Sequence, residues 1–327
     1  MAVLVFFQVS ETFRSGGIAM SRVIRVIECG GQGPRAKDVD CQNKVIDAFE
    51  GRWPDNDTEW LKTFGRQGLS PETEAIIYSV AGMVKDHSTV VKCPNIHLLD
   101  GAQLGNQDGD IPSFVCNDME SSVTGMHVLF PELDYFMGIT RSSGIGVRIW
   151  KNGEILSDSE GGHMCVDPSR SAPVCGCERR GCAEAIFGGE AMTRFIVKKI
   201  EALGAKIPKD IHPCGWLDIC YNKKEPWATN YYEEVLAPAM GIFLANIQAL
   251  LRLPAIVWKG KLGLRSFKDV PQLESMVREE MKKRIINPAW VDELKFYFLE
   301  CPKDHDAYIG AAEVARNLLY NTLPEAE

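Results

Sequence analysis

Apolar residues fall into short runs bounded by turn-forming clusters, interleaved with stretches of helical spacing. Residues 3–9 are apolar and β-branched enough for a buried strand, whereas 22–27 alternate polar and apolar as a half-exposed strand does. The Gly30-Gly31-Gln32-Gly33-Pro34 cluster reads as a turn. Ser70-Pro71-Glu72-Thr73-Glu74 reads as a helix start or turn before an apolar strand at 75–80, and 111–115 is a further short strand. Strands at 135–140 and 146–150 follow, and Lys151-Asn152-Gly153-Glu154 has an Asn-Gly hairpin turn.

Beyond residue 230 the period changes. Leu236, Met240, Phe243, Ile247 and Leu250 recur at steps of four and three, the apolar face of a long helix, with Pro238 near its start or kinking it. Pro254 then leads into a strand at 255–258 and a glycine-bearing loop; a strand at 295–299 precedes a last helix at about 307–320. Strands alternating with helices in both halves predict an α/β protein of two similar lobes with a cleft between them. No internal repeat interrupts the pattern.

A chain of 327 residues exceeds the usual single-core size, which agrees with two domains. The 45% apolar and 24% charged fractions are those of an ordinary globular protein, and a net charge of −8 gives no general attraction for nucleic acid or anionic membrane. No apolar run reads as membrane-spanning, and the first apolar run is too short and lacks a basic flank for a signal peptide. A cytoplasmic, reducing setting is expected. The eleven cysteines are then metal ligands where clustered and small core residues where scattered; Cys29, Cys41, Cys93, Cys116, Cys214, Cys220 and Cys301 are scattered.

One cluster stands out. His163 is followed after eleven residues by Cys175-Gly176-Cys177, and after four more by Cys182. One imidazole and three thiolates form a closed tetrahedral shell that suits Zn²⁺ and leaves no position for a reacting water, so the ion is structural. Gly176 and Gly181 are expected to allow the sharp turns that let close cysteines converge.

The flanks of this cluster are Glu160-Gly161-Gly162-His163-Met164, Val166-Asp167-Pro168 and Cys182-Ala183-Glu184-Ala185. They closely resemble the signature of the ROK family, sugar kinases and repressors with an actin-like, two-lobed ATPase fold of the ribonuclease H type. Other pieces resemble the family in order: Val80-Ala81-Gly82-Met83-Val84, the Cys93-Pro94-Asn95-Ile96 sugar loop, Cys116-Asn117-Asp118-Met119-Glu120, and Gly310-Ala311-Ala312 in the last helix. Ser142-Ser143-Gly144-Ile145-Gly146 resembles the family's second phosphate loop, Gly-Thr-Gly-Ile-Gly. The resemblance implies a smaller N-terminal lobe (1–116) on which the last helix, about 307–322, packs back. It implies a larger lobe (117–306) with the zinc loop 160–184. With no winged-helix extension ahead of the first strand, it points to the kinase branch.

What the resemblance implies for chemistry is phosphate transfer from ATP with Mg²⁺ to a hydroxyl of a hexose or N-acetylhexosamine. Asp118 matches the catalytic base. Gly82, Asn95, Asn117, Glu160, His163 and Glu184 match sugar-binding positions, with His163 bonding zinc through one nitrogen and sugar through the other. Ser143, Gly144, Gly146 and Gly260 match nucleotide-binding positions. The family's opening Asp-x-Gly-Gly-Thr loop has two candidate registers. Gln8-Val9-Ser10-Glu11-Thr12 retains the threonine, and Arg14-Ser15-Gly16-Gly17-Ile18 retains the glycines. Neither supplies the aspartate, so ATP is expected to bind weakly, and a sugar-binding member with weak or no kinase activity is the alternative. A homodimer is the assembly the resemblance implies; nucleic acid and membrane are not expected partners.

Overall fold

The computed structural model describes residues 5–8, 22–54, 58–106, 110–156, 159–301 and 304–321. In chain order its first elements are β1 (Val5–Gln8), β2 (Val23–Gly30), β3 (Gly33–Val39), β4 (Val45–Glu50), α1 (Glu59–Gly65) and β5 (Thr73–Val80). Next come β6 (Met83–Lys85), β7 (Thr89–Lys92), β8 (Ser113–Asn117), α2 (Asp118–Leu129), β9 (Tyr135–Arg141), β10 (Ile145–Lys151) and β11 (Glu154–Ile155). The helices α3 (Ala183–Phe187), α4 (Gly189–Ala202), α5 (Pro213–Asn222), α6 (Pro226–Tyr231) and α7 (Ala237–Leu251) follow. The chain closes with β12 (Ala255–Lys259), α8 (Lys261–Asp269), α9 (Gln272–Lys282), α10 (Ala289–Glu293), β13 (Lys295–Glu300) and α11 (His305–Asn321).

Two compact units result: Met1–Phe7 with Tyr135–Glu300, and Gln8–Asp134 with Cys301–Glu327. The boundary falls after Asp134 rather than after residue 116, because α2 packs on α11 within the second unit. Gly125 and Gly310 sit where these helices cross, and a Cβ on either would run into backbone of the other helix. Small residues at that crossing let the two backbones approach closely.

The second unit is built on a five-stranded sheet in the order β4-β3-β2-β5-β8, with β2, β5 and β8 parallel. Both faces are covered. Ile27, Ile76 and Tyr78 pack with Leu61 and Phe64 of α1 on one side; Ile24, Val26 and Ile77 pack with Tyr308 and Ala311 of α11 on the other. Hence β2 is not half-exposed as its alternation predicts. Arg25 is 1% exposed because Asp38 pairs with it at 2.5 Å and the Gln67 carbonyl accepts from it at 2.9 Å. A buried charge is tolerated when it is paired and hydrogen-bonded.

The first unit has a six-stranded sheet in the order β1-β13-β12-β9-β10-β11. The Asn152-Gly153 turn joins β10 to β11, both residues at positive φ as such a hairpin requires. From Pro226 to Leu251 the chain is one helix, interrupted by a π-helical turn at Tyr232–Leu236 just before Pro238. Proline lacks the N–H and crowds the carbonyl four residues back; the wider turn relieves both. This helix is long and apolar enough to cross a membrane by length and composition. Met240, Phe243 and Ile247 are instead buried in the unit's core, while Leu250, predicted on the same face, is 82% exposed. Of the scattered cysteines, Cys29, Cys93, Cys116, Cys214 and Cys220 are buried, Cys41 is exposed and Cys301 is half-buried.

Candidate functional site

His163 ends a 3-10 turn, Gly161–His163, and Cys182 is the residue before α3. Between them the loop folds back on itself, with bridges pairing Cys165 with Cys182 and Val174 with Arg180. The fold-back brings the ligand atoms of His163, Cys175, Cys177 and Cys182 within 4.8 Å of one another. Cys177 Sγ lies 3.7 Å from Cys182 Sγ, and Cys175 Sγ lies 3.4 Å from His163 Nδ1. Tetrahedral bonds of ~2.3 Å to sulfur and ~2.05 Å to nitrogen would separate two sulfurs by about 3.8 Å and nitrogen from sulfur by about 3.6 Å. Two separations thus match a tetrahedral Zn²⁺ site, and the others, at most 4.8 Å, need about 1 Å of closure at most. His163 would use Nδ1 and keep Nε2 for another hydrogen bond.

Burial pushes the Cys175 thiol up, and it pushes Cys182 up to about 12, helped by the neighbouring Cys177. Burial acts the same way on Cys177, but the Arg179 backbone and the two adjacent thiols bring it below its ordinary value. The metal-free cluster thus holds protons that a divalent cation must displace. Gly181, at φ +71°, is needed because a Cβ would collide with the Asp167 carbonyl. Gly176 is not: it has open space, and the left-handed residue of that turn is Glu178 at φ 68°.

The segment after Cys182 holds the turn between β9 and β10. Glu184 Oε2 accepts from the Ile145 N–H at 2.9 Å, and a Cβ on Gly144 would press on that same oxygen. The N–H groups of Gly189 and Glu190, at the start of α4, donate to the Ser142 and Ser143 carbonyls, each at 2.9 Å. Beneath the turn, Arg141 is fully buried; its Nε donates to the Phe187 carbonyl at 2.8 Å and its guanidinium also meets Ser266 Oγ. Burial pushes that guanidinium below its ordinary value.

Beside the turn opens a cavity of about 640 Å³, walled by Ser142 and Ser143, the start of α4, and Arg194, Lys261 and Arg265. Arg265 is pinned by Asp218 at 3.3 Å and Asp269 at 3.0 Å, and Arg194 faces Glu190 at 3.6 Å. Gly260, at φ +95°, immediately precedes α8, and a Cβ there would collide with the Arg141 backbone. Glu160, just ahead of the 3-10 turn, is exposed.

In the other unit, β8 ends in Asn117 and α2 begins at Asp118. Asn117 is 8% exposed and forms a capping box: its Oδ1 accepts from Met119 at 2.9 Å and Glu120 at 3.3 Å, and its Nδ2 donates to the Gly82 carbonyl at 2.9 Å. The residue matched to a sugar hydroxyl therefore spends its oxygen and one N–H on the fold, and Gly82 spends its carbonyl. Asp118, half-buried, accepts from the Met119 N–H at 2.9 Å. Asn95 is exposed between β7 and the 3-10 turn His97–Leu99. Thr12 and both expected registers of the first phosphate loop lie outside the described residues, apart from Gln8 in β1.

That loop has a better candidate, which the sequence reading passed over as a plain turn. β2 and β3 form an antiparallel hairpin whose tip is Gly31 and Gln32, with Gly30 paired to Gly33. Glu28-Cys29-Gly30-Gly31-Gln32 follows the acid-x-Gly-Gly pattern, with glutamate for aspartate and glutamine for threonine. Glu28 is oriented by Arg35 at 2.8 Å and by the Tyr308 hydroxyl at 2.5 Å. Two adjacent glycines after a strand, with an acid two residues back, were the available signal.

The sequence profile of the ROK family matches residues 67–317. An N-acetylmannosamine kinase of Citrobacter koseri is 34% identical over 182 residues, 51% of this chain and 61% of that protein, so the chain spans less than two thirds of that relative's length. A ROK family glucokinase from Streptomyces griseus, solved with glucose and AMPPNP, aligns with a TM-score of 0.66 at 22% identity, covering 90% of this chain and 99% of that one. A ROK family transcriptional regulator, described as a homologue of the E. coli MLC protein, aligns at 0.71 and 18%, covering 90% of this chain and 78% of its own. At these identities the likeness is one of fold: the two-lobed, actin-like α/β fold.

Proposed function

Since the chain belongs to the ROK family, we propose that it is an ATP-dependent sugar kinase acting on a hexose or an N-acetylhexosamine. Asp118 is the general base that takes the proton of the attacking hydroxyl, from a helix start whose Met119 N–H fixes the carboxylate at 2.9 Å. Asn95, Glu160 and the outward nitrogen of His163 hold ring hydroxyls, and Asn117 acts chiefly as the cap that sets Asp118 in place. Zinc, bound by His163, Cys175, Cys177 and Cys182, supplies a rigid loop from which His163 and Glu184 project.

In the unit with Tyr135–Glu300 the nucleotide is served by the Ser142–Gly146 turn and the cavity ahead of Gly260; in the other unit, Glu28 and the Gly30–Gly31 turn have the chemistry for phosphate and its metal. Bare glycine amides suit phosphate oxygens, and the acid suits the Mg²⁺ that accompanies them. The observation that supports this half best is the cavity: Arg194, Lys261 and Arg265 line it against the single acid Glu190. Lys261 borders the space without filling it. Calorimetry with Mg·ATP tests the assignment. Wild type should bind, and Lys261→Met/Arg265→Met should bind about tenfold to a hundredfold more weakly, the usual cost of a lost charge-assisted contact of ~1.5–3 kcal/mol. Equal affinity in both proteins would remove the cavity from the nucleotide site.

A second reading is a sugar-responsive regulator without turnover. It is favoured by the two departures in the first loop, Glu28 and Gln32, and by the fold likeness to a ROK transcriptional regulator. Sugar binding with no detectable Mg·ATP binding would select it.

A further inference from the structure

We propose that Glu184 is a positioning residue for the Ser142–Gly146 turn, and that through it the state of the metal cluster sets the order of that turn and its affinity for a triphosphate. The affinity clause rests on the kinase reading; the structural clause does not. Four hydrogen bonds run from residues 141–145 to residues 184–190. They are Ile145 N–H to Glu184 Oε2, Gly189 N–H to the Ser142 carbonyl, Glu190 N–H to the Ser143 carbonyl, and Arg141 Nε to the Phe187 carbonyl, all at 2.8–2.9 Å. Of these only Glu184 uses a side-chain acceptor, and its other oxygen lies 3.9 Å from Cys175 Sγ. One carboxylate thus touches the metal loop with one oxygen and the phosphate turn with the other.

Chain connectivity makes the same link. Cys182 is the residue before α3, so the two-helix segment that grips the turn starts at a metal ligand. With the cluster closed around an ion, α3 has a fixed start and the carboxylate a fixed direction. With the cluster open, α3 loses its anchor and the carboxylate facing the Ile145 amide loses its fixed direction. Gly144 fits this role: only a residue without a Cβ leaves room for the carboxylate at that distance.

The test is amide hydrogen exchange of the peptide covering 142–146 in the zinc-loaded full chain, paired with calorimetry using AMPPNP and, separately, glucose. Relative to wild type, Glu184→Ala should speed exchange and weaken AMPPNP by ~10- to 100-fold, the loss expected for one hydrogen bond to a charged group, while Glu184→Gln stays within about threefold. Stripping zinc from wild type with a chelator should speed exchange of the same peptide. Gly144→Ala should mimic Glu184→Ala, and the two together should fall short of the sum, as groups in one contact do. Unchanged exchange in both Glu184→Ala and the stripped protein would overturn the proposal. So would a Glu184→Ala protein that loses glucose but keeps wild-type exchange and AMPPNP affinity. If wild type itself fails to bind AMPPNP, the kinase reading and the affinity clause fall together, and the exchange results still decide the structural clause. Should Glu184→Ala fail to fold, the stripped wild type and Gly144→Ala decide it.

Discussion

Replacing Asn117 by alanine should damage stability before it damages sugar recognition. The side chain accepts from two N–H groups at the start of α2 and donates to the Gly82 carbonyl, between β5 and β6. Losing a cap of this kind costs ~1 kcal/mol, and up to ~2 in tight contexts. The half-buried Gly82 carbonyl then lacks its donor, which adds ~1 kcal/mol. A total of roughly 2–3 kcal/mol corresponds to a fall of about 5–10 °C in melting temperature for a unit of this size. Asn117→Asp keeps the acceptor for Met119 and Glu120 but turns an oxygen toward the Gly82 carbonyl, so its loss should be intermediate. Circular dichroism melts of zinc-loaded protein give the first quantity and calorimetry with sugar the second. An Asn117→Ala protein that melts within about 1 °C of wild type while losing sugar affinity would refute the reasoning and make Asn117 a ligand residue rather than a cap.

Three other outcomes follow from the same geometry. Cys177→Ala should lose bound zinc by elemental analysis and melt earlier, because metal affinity at such a site is folding free energy; with Cys175 and Cys182 raised and protonated at neutral pH, wild-type zinc affinity should rise with pH by roughly a decade per proton released. Gly181→Ala should destabilise by ~1–2 kcal/mol or more, from the left-handed backbone and the Asp167 carbonyl, while Gly176→Ala changes the melt little. Asp118→Asn should lower phosphotransfer ~10²–10⁴-fold with sugar affinity within about tenfold, and wild-type turnover in that variant would remove Asp118 from the base role.

The gathering of His163, Cys175, Cys177 and Cys182 was legible in the sequence because they lie within twenty residues of one another and thiolate chemistry narrows what such a cluster can be. Strands such as β12 and β13 were legible for a similar reason: β-branched and aromatic runs bounded by proline or polar residues leave few alternatives. What escaped depends on contacts between distant residues. Arg25 reads as a solvent-facing strand residue until Asp38 and the carbonyls after α1 enclose it. The crossing of α2 and α11 through Gly125 and Gly310 moved the unit boundary past Asp134, and nothing local marks it. The candidate phosphate turn at Glu28–Gln32 was hidden because the apolar run at 3–9 resembles the family's opening strand, and because glutamate and glutamine at 28 and 32 obscure the pattern. The β2–β3 hairpin register restores it. Glu28 thus places an acid ahead of a glycine turn where neither expected register supplies one.

Coupled ADP release reads out phosphate transfer to a sugar without an intermediate step. Zinc-loaded protein with Mg·ATP should be screened over glucose, mannose, fructose, N-acetylglucosamine and N-acetylmannosamine, with Asp118→Asn as the control. ADP release should depend on at least one of these sugars and be abolished in the control. ADP release that is absent on every sugar the protein measurably binds, or equal with Asp118→Asn, would contradict the kinase reading.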